Sequence, residues 1–315
     1  MSGKTTVLCI VGPTATGKTA LSVALAQKLN GEIVSADAVA VYRKLDIGSA
    51  KPTEEERRGI AHHLIDCINI EQADFSVSVF RKLAREAIDG IAQRNALPIV
   101  VGGSGLYLDA IFSDMRFSAP SDTALRTELE TEYDADRNAF FALLSASDPA
   151  TAKRLHPNDK KRIVRAMEVF RLTGRPFSEL NHDFACAQEG DGTYRTVRIG
   201  LNTDRQKLYE RIDRRVDDMV ARGLIKEAYD LFDDGYTPDR FTAMQSIGYA
   251  QLYESYRGMC STEEAIDAIK LATRHFAKRQ ITWFKRNPDT VWFDPLETKT
   301  EEIVSKCTEL LYEHR

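Results

Sequence analysis

The residues best suited to chemistry begin near the amino end. GPTATGKT, Gly12 to Thr19, fits the spacing GxxxxGK[ST], with the apolar run TTVLCIV before it and a helical pattern from Lys18 to Leu29 after it. In that context the amides of a helix N-terminus converge on a phosphate, and the glycines let the chain approach it closely. Gly12, Pro13, Thr14, Ala15, Thr16, Gly17, Lys18 and Thr19 are therefore the candidate diphosphate cradle, with Lys18 supplying charge and Thr19 a hydroxyl for Mg²⁺. The pattern belongs to nucleotide-binding loops, ATP-binding ones included, and specifies phosphate binding rather than hydrolysis.

Asp37 ends the second β-rich run and opens SADAVAVYRKLDIGSAKP, Ser35 to Pro52. A carboxylate there lies at the carboxyl edge of a sheet, where α/β proteins place ligands, so Asp37 is a catalytic candidate. A cap for the following turn, or a group orienting a metal-bound water, explains it equally well. GGSGLY, Gly102 to Tyr107, follows the run LPIVV and brings Ser104 toward a bound group, or packs a tight turn. HHLID, His62 to Asp66, has no partner at metal-ligand spacing and receives no role. Arg211 and Arg215 share a face at i, i+4; on spacing alone Arg215 reads as an exposed ion pair with Asp217 or Asp218.

These groups need a scaffold. EIVSA, LPIVVGG and a helical pattern from Val77 to Arg94 extend the opening strand and helix into parallel βαβ units. Between Phe117 and Thr193 the β pattern gives way to helical stretches broken by Pro120, Pro149, Pro157 and Gly174. TVRIGLN, Thr196 to Asn202, resumes the strand pattern. Helical periodicity then runs over Asp204 to Arg222, Leu224 to Asp234 and Thr262 to Lys285, followed by TVWFD and a terminal helix from Glu297 to His314. The fold expected is α/β, a P-loop NTPase-like parallel sheet flanked by helices, with a helical insertion domain. Residues 1–116 and 194–315 form the core and 117–193 the insertion.

Composition excludes several classes. The 315 residues are 43% hydrophobic and 29% charged, the balance of a globular protein. No apolar run approaches the length of a membrane helix. The five cysteines, Cys9, Cys67, Cys186, Cys260 and Cys307, form no CxxC pair, which points away from zinc and disulfides and toward a reducing cytoplasm. Net charge is −4, yet Lys153 to Arg175 carries eight Lys/Arg against Asp159 and Glu168, and Lys270 to Arg286 carries six with no acid. Such segregation builds a polyanion-binding face on an acidic protein. In the second block Arg274, Lys278 and Lys285 share a stripe with Ile281, and Phe276, Trp283 and Phe284 pack inward.

Taken in order, GPTATGKT, SADAVAVYRKLDIGSAKP, HHLID, PIVVGGSGLYLDA, HPNDKKRIVRAMEV and TRHFAKRQITWF resemble the tRNA dimethylallyltransferase (tRNA isopentenyltransferase) family, from Val7 to about Arg286. The resemblance implies transfer of a dimethylallyl group from dimethylallyl diphosphate to N6 of adenosine 37 in tRNA, with diphosphate leaving and Mg²⁺ as cofactor. It implies a bacterial-type, cytoplasmic, monomeric enzyme whose partner is the tRNA anticodon stem-loop. Catalytic roles fall to Asp37, Lys18, Thr19 and Arg215, with Asp37 as general base for the adenine amino group and Arg215 gripping the diphosphate. Contacts to tRNA fall to Asp37, Ala38, Val39, Ala40, Ser104, Arg126, Lys161, Arg162, Ile163, Val164, Arg165, Arg274 and Lys278. Two positions depart from the family pattern: Ala38 and Ala40 stand where relatives carry Ser and often Gln, so those side-chain contacts are lost and only backbone contacts remain expected. The rival readings are a P-loop small-molecule kinase, an adenylate (AMP) isopentenyltransferase, and a nucleotide-dependent RNA-binding switch without chemistry.

Overall fold

A computed structural model describes residues 4–72, 75–113, 115, 122–180 and 192–313. Cys186, Phe117 and Pro120 lie outside the described residues, as does His314. The chain divides into two compact units, Met1–Phe112 with Gly192–Arg315, and Ser113–Asp191.

In the first unit, β1 (Thr5–Val11), α1 (Lys18–Leu29), β2 (Gly31–Ala36), α2 (Glu54–Arg57), β3 (His62–His63), α3 (Val77–Gln93), β4 (Leu97–Gly102) and α4 (Gly105–Phe112) follow one another. The second unit is helical: α5 (Thr123–Ala135), α6 (Arg137–Ser147), α7 (Pro149–Arg154), α8 (Lys160–Thr173) and α9 (Phe177–Leu180). The chain then returns through β5 (Tyr194–Leu201), α10 (Arg205–Ala221), α11 (Leu224–Asp233), a 3₁₀ turn (Thr242–Gln245), α12 (Tyr249–Tyr256), α13 (Thr262–Phe284), β6 (Val291–Phe293) and α14 (Thr300–Glu313). The six strands make one sheet in the order β3-β2-β4-β1-β5-β6, and every pairing is parallel. This is the P-loop NTPase-like sheet that the alternating pattern predicts.

Both faces of the sheet are covered, as parallel sheets require, which is why β1 reads as a continuous apolar run. Val7, Cys9 and Val11 point into one core with Phe80, Ala84, Ile88, Leu108 and Ile111 of α3 and α4. Leu8 and Ile10 point into the opposite core with Leu21, Leu25, Ile303 and Cys307 of α1 and α14. A third cluster joins α10 to α13 and includes Leu45 from the segment after Asp37. The helical unit has its own core, built by Leu129, Tyr133, Phe140, Leu144, Ile163, Val164 and Met167. No described helix is long and apolar enough to cross a membrane. The parallel strands all deliver their carboxyl ends to one edge, where β1, β2 and β4 lead into the phosphate loop, Asp37 and Ser104.

Candidate active site

The phosphate loop leaves β1 at Gly12, whose φ of 141° and position leave no space for a side chain: a Cβ there would sit 2.3 Å from the Leu201 carbonyl oxygen. The Thr16 hydroxyl and Lys18 Nζ both donate to the Pro13 carbonyl, at 2.8 and 2.7 Å, curling the loop on itself. Two distant helices brace it. Arg211 Nε on α10 donates to the Ala15 carbonyl at 2.7 Å, and the Thr14 amide donates to Gln280 Oε1 on α13 at 3.0 Å. The amides of Ala15 to Thr19 keep no backbone partner among the described residues. With Gly17 capping α1 without any side-chain acceptor, these amides form an open nest for an anion.

Two cations face this nest. Burial, reinforced by the neighbouring Arg215 guanidinium, pushes the Lys18 ammonium down to about 7, while Asp37 works in the other direction. Burial likewise lowers Arg215, again opposed by Asp37. Arg215 makes no ion pair among the described residues; Asp217 is bound by Lys270 at 2.6 Å instead. Two desolvated cations beside unsatisfied amides are an arrangement that a multivalent anion stabilises.

The structure shows Asp37 as a cap and leaves one of its oxygens open for a second role. Its Oδ1 caps the following turn, accepting from the amides of Val39 at 2.8 Å and Ala40 at 3.1 Å, and its Oδ2 has no hydrogen-bond partner among the described residues. Ser104 Oγ accepts from the Ala38 amide at 3.1 Å, which leaves the Ser104 hydroxyl proton to donate elsewhere. The amides of Ala38, Val39 and Ala40 are thus all engaged internally, and the carbonyls of Val39 and Ala40 accept from Tyr42 and Asp66. Amide contacts from Ala38 to Ala40 to RNA would therefore have to replace bonds already made, whereas the carbonyls of Asp37 and Ala38 accept no backbone bond among the described residues. Ala40 is buried.

The segment after Asp37 is held by residues that the sequence pattern does not reveal. Lys51 is buried and donates to the Tyr42 carbonyl at 2.6 Å, Asp46 at 2.8 Å and Asp66 at 2.5 Å. Glu227 on α11 accepts from the amides of Ile47 and Gly48 and from the Tyr249 hydroxyl. Asp66 of HHLID thus has a structural task, and His63 pairs with Glu32 at 2.7 Å on the sheet edge. Tyr107, also missed, packs on Phe80 with ring centroids 4.2 Å apart; burial, with help from the Tyr42 and Asp37 charges, raises its phenol.

On α13, Arg274 is tied to Asp213 at 3.1 Å and lies over the Tyr209 ring, while Lys278 is exposed. Phe284 is buried, and Phe276 and Trp283 are half-buried. In the helical unit, Arg126 and Arg165 converge on the carboxylate of Glu168, at 2.7 and 2.8 Å. Lys161 and Arg162 are exposed, with Arg162 paired to Asp159. Ile163 and Val164, counted with these as RNA contacts, are 0% and 1% exposed. Their side chains belong to the core of the helical unit, because α8 turns positions 163 and 164 inward when it turns 161, 162 and 165 outward.

For Mg²⁺, the described residues contain no group of three His, Cys, Asp or Glu able to hold a metal. The Thr19 hydroxyl, with no hydrogen bond among the described residues, suits a cation that takes most of its ligands from phosphate and water.

A family model described as IPP transferase matches residues 40–287. The chain is 43% identical over 312 residues to the tRNA dimethylallyltransferase of Pelotomaculum thermopropionicum, covering 97% of each chain. It is 44% identical over 306 residues to that of Geobacillus thermodenitrificans, covering 96% of this chain and 94% of the relative. Among solved structures, the full-length tRNA isopentenylpyrophosphate transferase of Bacillus halodurans superposes with a TM-score of 0.71 at 40% identity, covering 99% of this chain and 98% of the other. A eukaryotic dimethylallyltransferase acting on tRNA superposes with a TM-score of 0.79 at 28% identity, covering 99% and 80%. The family model begins after the phosphate loop and Asp37, whereas the full-length relatives span both.

Proposed function

The chain belongs to the tRNA dimethylallyltransferase family, and from that membership we infer that the nest beside Lys18 and Arg215 receives the diphosphate of dimethylallyl diphosphate. The protein is a prenyl-transferring enzyme that modifies tRNA. The acceptor in this reading is N6 of adenosine 37, presented by the anticodon stem-loop to a monomeric cytoplasmic enzyme.

The chemistry divides between the two sides of the site. As N6 attacks C1 of the dimethylallyl group, the C1–O bond breaks and its electron pair passes to the diphosphate. Charge developing on that oxygen is met by the loop amides, Lys18 and Arg215, which are oriented before reaction and so require little reorganisation. Mg²⁺ held at Thr19 would neutralise further diphosphate charge. An exocyclic amine must lose a proton as the C–N bond forms, and Asp37 Oδ2 is the acceptor. Because Oδ1 is fixed by the Val39 and Ala40 amides, the carboxylate approaches the base in one orientation. Adenosine 37 has to leave the stack to reach it, at lower cost in a loop than in a duplex. Ser104, Lys278 and the basic face of α8 supply the RNA contacts.

The observation that carries this reading is the pairing of an open anion nest and two unpaired, desolvated cations with a carboxylate whose second oxygen is uncommitted. Incubating tRNA with the protein, dimethylallyl diphosphate and Mg²⁺, then digesting to nucleosides for mass analysis, tests it. A dimethylallyl-adenosine signal and one diphosphate released per transfer are expected. ATP-dependent phosphate transfer to a small molecule, or prenylation of free AMP but not tRNA, would overturn it.

A further inference from the structure

Gln280 lies on the buried stripe of α13, between Ala277 and Phe284, where an apolar residue would be expected. It is only 4% exposed. A buried primary amide is costly unless its polar atoms are paired, and here both ends are used. Oε1 accepts from the Thr14 amide at 3.0 Å, and Nε2 donates to the Gly103 carbonyl at 3.0 Å. The fit leaves no slack: a Cβ on Gly103 would sit 2.2 Å from Gln280 Nε2.

The two partners belong to opposite halves of the site. Thr14 lies in the diphosphate loop after β1. Gly103 precedes Ser104, whose hydroxyl oxygen accepts from the Ala38 amide beside Asp37. A chain of side-chain hydrogen bonds therefore runs from the loop through Gln280 to the Gly103–Ser104 turn and on to the Asp37 turn. Thr14 and Gln280 are 266 positions apart, so the contact is a product of the fold and not of local chain geometry.

We propose that Gln280 is a positioning residue that fixes the separation between the leaving-group cradle and the base side of the site, so that C1 is captured by the adenine nitrogen and not by water. The inference rests on the prenyl-transfer reading above. In a loosened site the competing step is hydrolysis: a water oxygen bonds to C1, the C1–O bond to diphosphate breaks, the water proton passes to solvent, and dimethylallyl alcohol is released. A misplacement of about 1 Å is enough to cost on the order of 10²-fold in transfer, whereas water, being mobile, is less sensitive to it.

The test measures prenylated tRNA, free diphosphate and dimethylallyl alcohol in one reaction. It compares the wild-type protein with Gln280→Leu, which removes both bonds, Gln280→Glu, which keeps the shape but places an oxygen against the Gly103 carbonyl, and Gly103→Ala, which displaces the amide from the other end. The expected result is a prenyl-to-diphosphate ratio of one for wild type and a ratio of about one half or lower in the variants, with alcohol making up the difference. A purely structural role would lower all rates together. A ratio of one in every folded variant therefore overturns the proposal. Should Gln280→Leu fail to fold, the near-isosteric Gln280→Glu and the separate Gly103→Ala decide. A wild-type protein that prenylates no tRNA overturns the underlying functional reading, which is distinguishable from loss of coupling in the variants alone.

Discussion

Lys18 carries the pH behaviour of the site. Its folded-state pKa of about 7 lies below the ordinary lysine value, chiefly because of burial. Between those limits the unfolded chain holds a proton that the folded protein lacks, so this group makes the free protein more stable as pH rises through that range. A bound diphosphate favours the charged ammonium and reverses the preference. Binding of dimethylallyl diphosphate at pH 8 is therefore expected to take up protons, read as a dependence of calorimetric heat on the buffer's ionisation enthalpy. A Lys18→Met variant should lose that uptake, and uptake that persists in the variant would place the titrating group elsewhere. Arg215→Lys should lose about 2–3 kcal/mol of transition-state stabilisation, seen in kcat/KM for dimethylallyl diphosphate, since a lysine cannot reproduce a planar fork of donors. The loop and Asp37 were legible in the sequence because their types and spacing are local. Gln280 and Lys51 were not, because each acts through a partner brought near only by folding and resembles an ordinary helix or loop residue until that partner is known; Arg211 was placed beside Arg215, but its Ala15 carbonyl partner was not legible.

At the level of elements, α5 and α8 are joined through Glu168, which has a side-chain exposure of 0%. Burial alone would raise its pKa, but hydrogen bonds from Arg165 and Arg126 and from the Asp122 amide outweigh that and hold the carboxyl below the usual range. A depressed pKa contributes stability that is present above the unfolded value and lost as pH falls through the folded one. Glu168→Ala is expected to destabilise the protein by about 1–3 kcal/mol, less than breaking a fully buried pair costs, because both arginines are partly solvated. Thermal melts at pH 7 should show the loss, and the difference should shrink as pH falls below the ordinary glutamate range, where the unfolded carboxyl binds a proton that the folded one resists. Equal melting points at pH 7 would show that Glu168 is not a structural anchor. Helices and strands with strong periodicity, such as α3, α10, α13 and β1, stand close to their expected bounds, whereas β3 and the 3₁₀ turn are too short for any period to register. Ile163 and Val164 show the same limit on α8: the basic run KKRIVR reads as one surface, yet helical geometry sends two of its residues into the core.

Charge acts at the scale of the whole molecule. An acidic protein of net charge −4 concentrates cations in two blocks, but the structure neutralises part of each: Arg274 and Lys270 face Asp213 and Asp217, and Lys160 and Arg171 face Asp134 and Glu132. Counting basic residues in the sequence therefore overstates the charge offered to RNA. Affinity for tRNA should still fall with salt, with the log–log slope shrinking by about 0.7–0.9 for each phosphate contact removed. Replacing Lys161 and Arg162 with alanine should reduce both affinity and slope, and an unchanged slope would remove the exposed end of α8 from the interface. The α/β class and the helical insertion were visible as a change of periodicity along the chain, while the strand order, which sets Gly12 against Leu201, has no counterpart in local sequence.

The division of labour at Asp37 gives the sharpest test. Asparagine retains an Oδ1 able to accept from the Val39 and Ala40 amides, so Asp37→Asn keeps the turn and removes only the proton acceptor. In a single turnover with saturating dimethylallyl diphosphate and tRNA, prenyl transfer by Asp37→Asn should fall by about 10²–10⁴-fold. Transfer at the wild-type rate would contradict the assignment of Asp37 as the base.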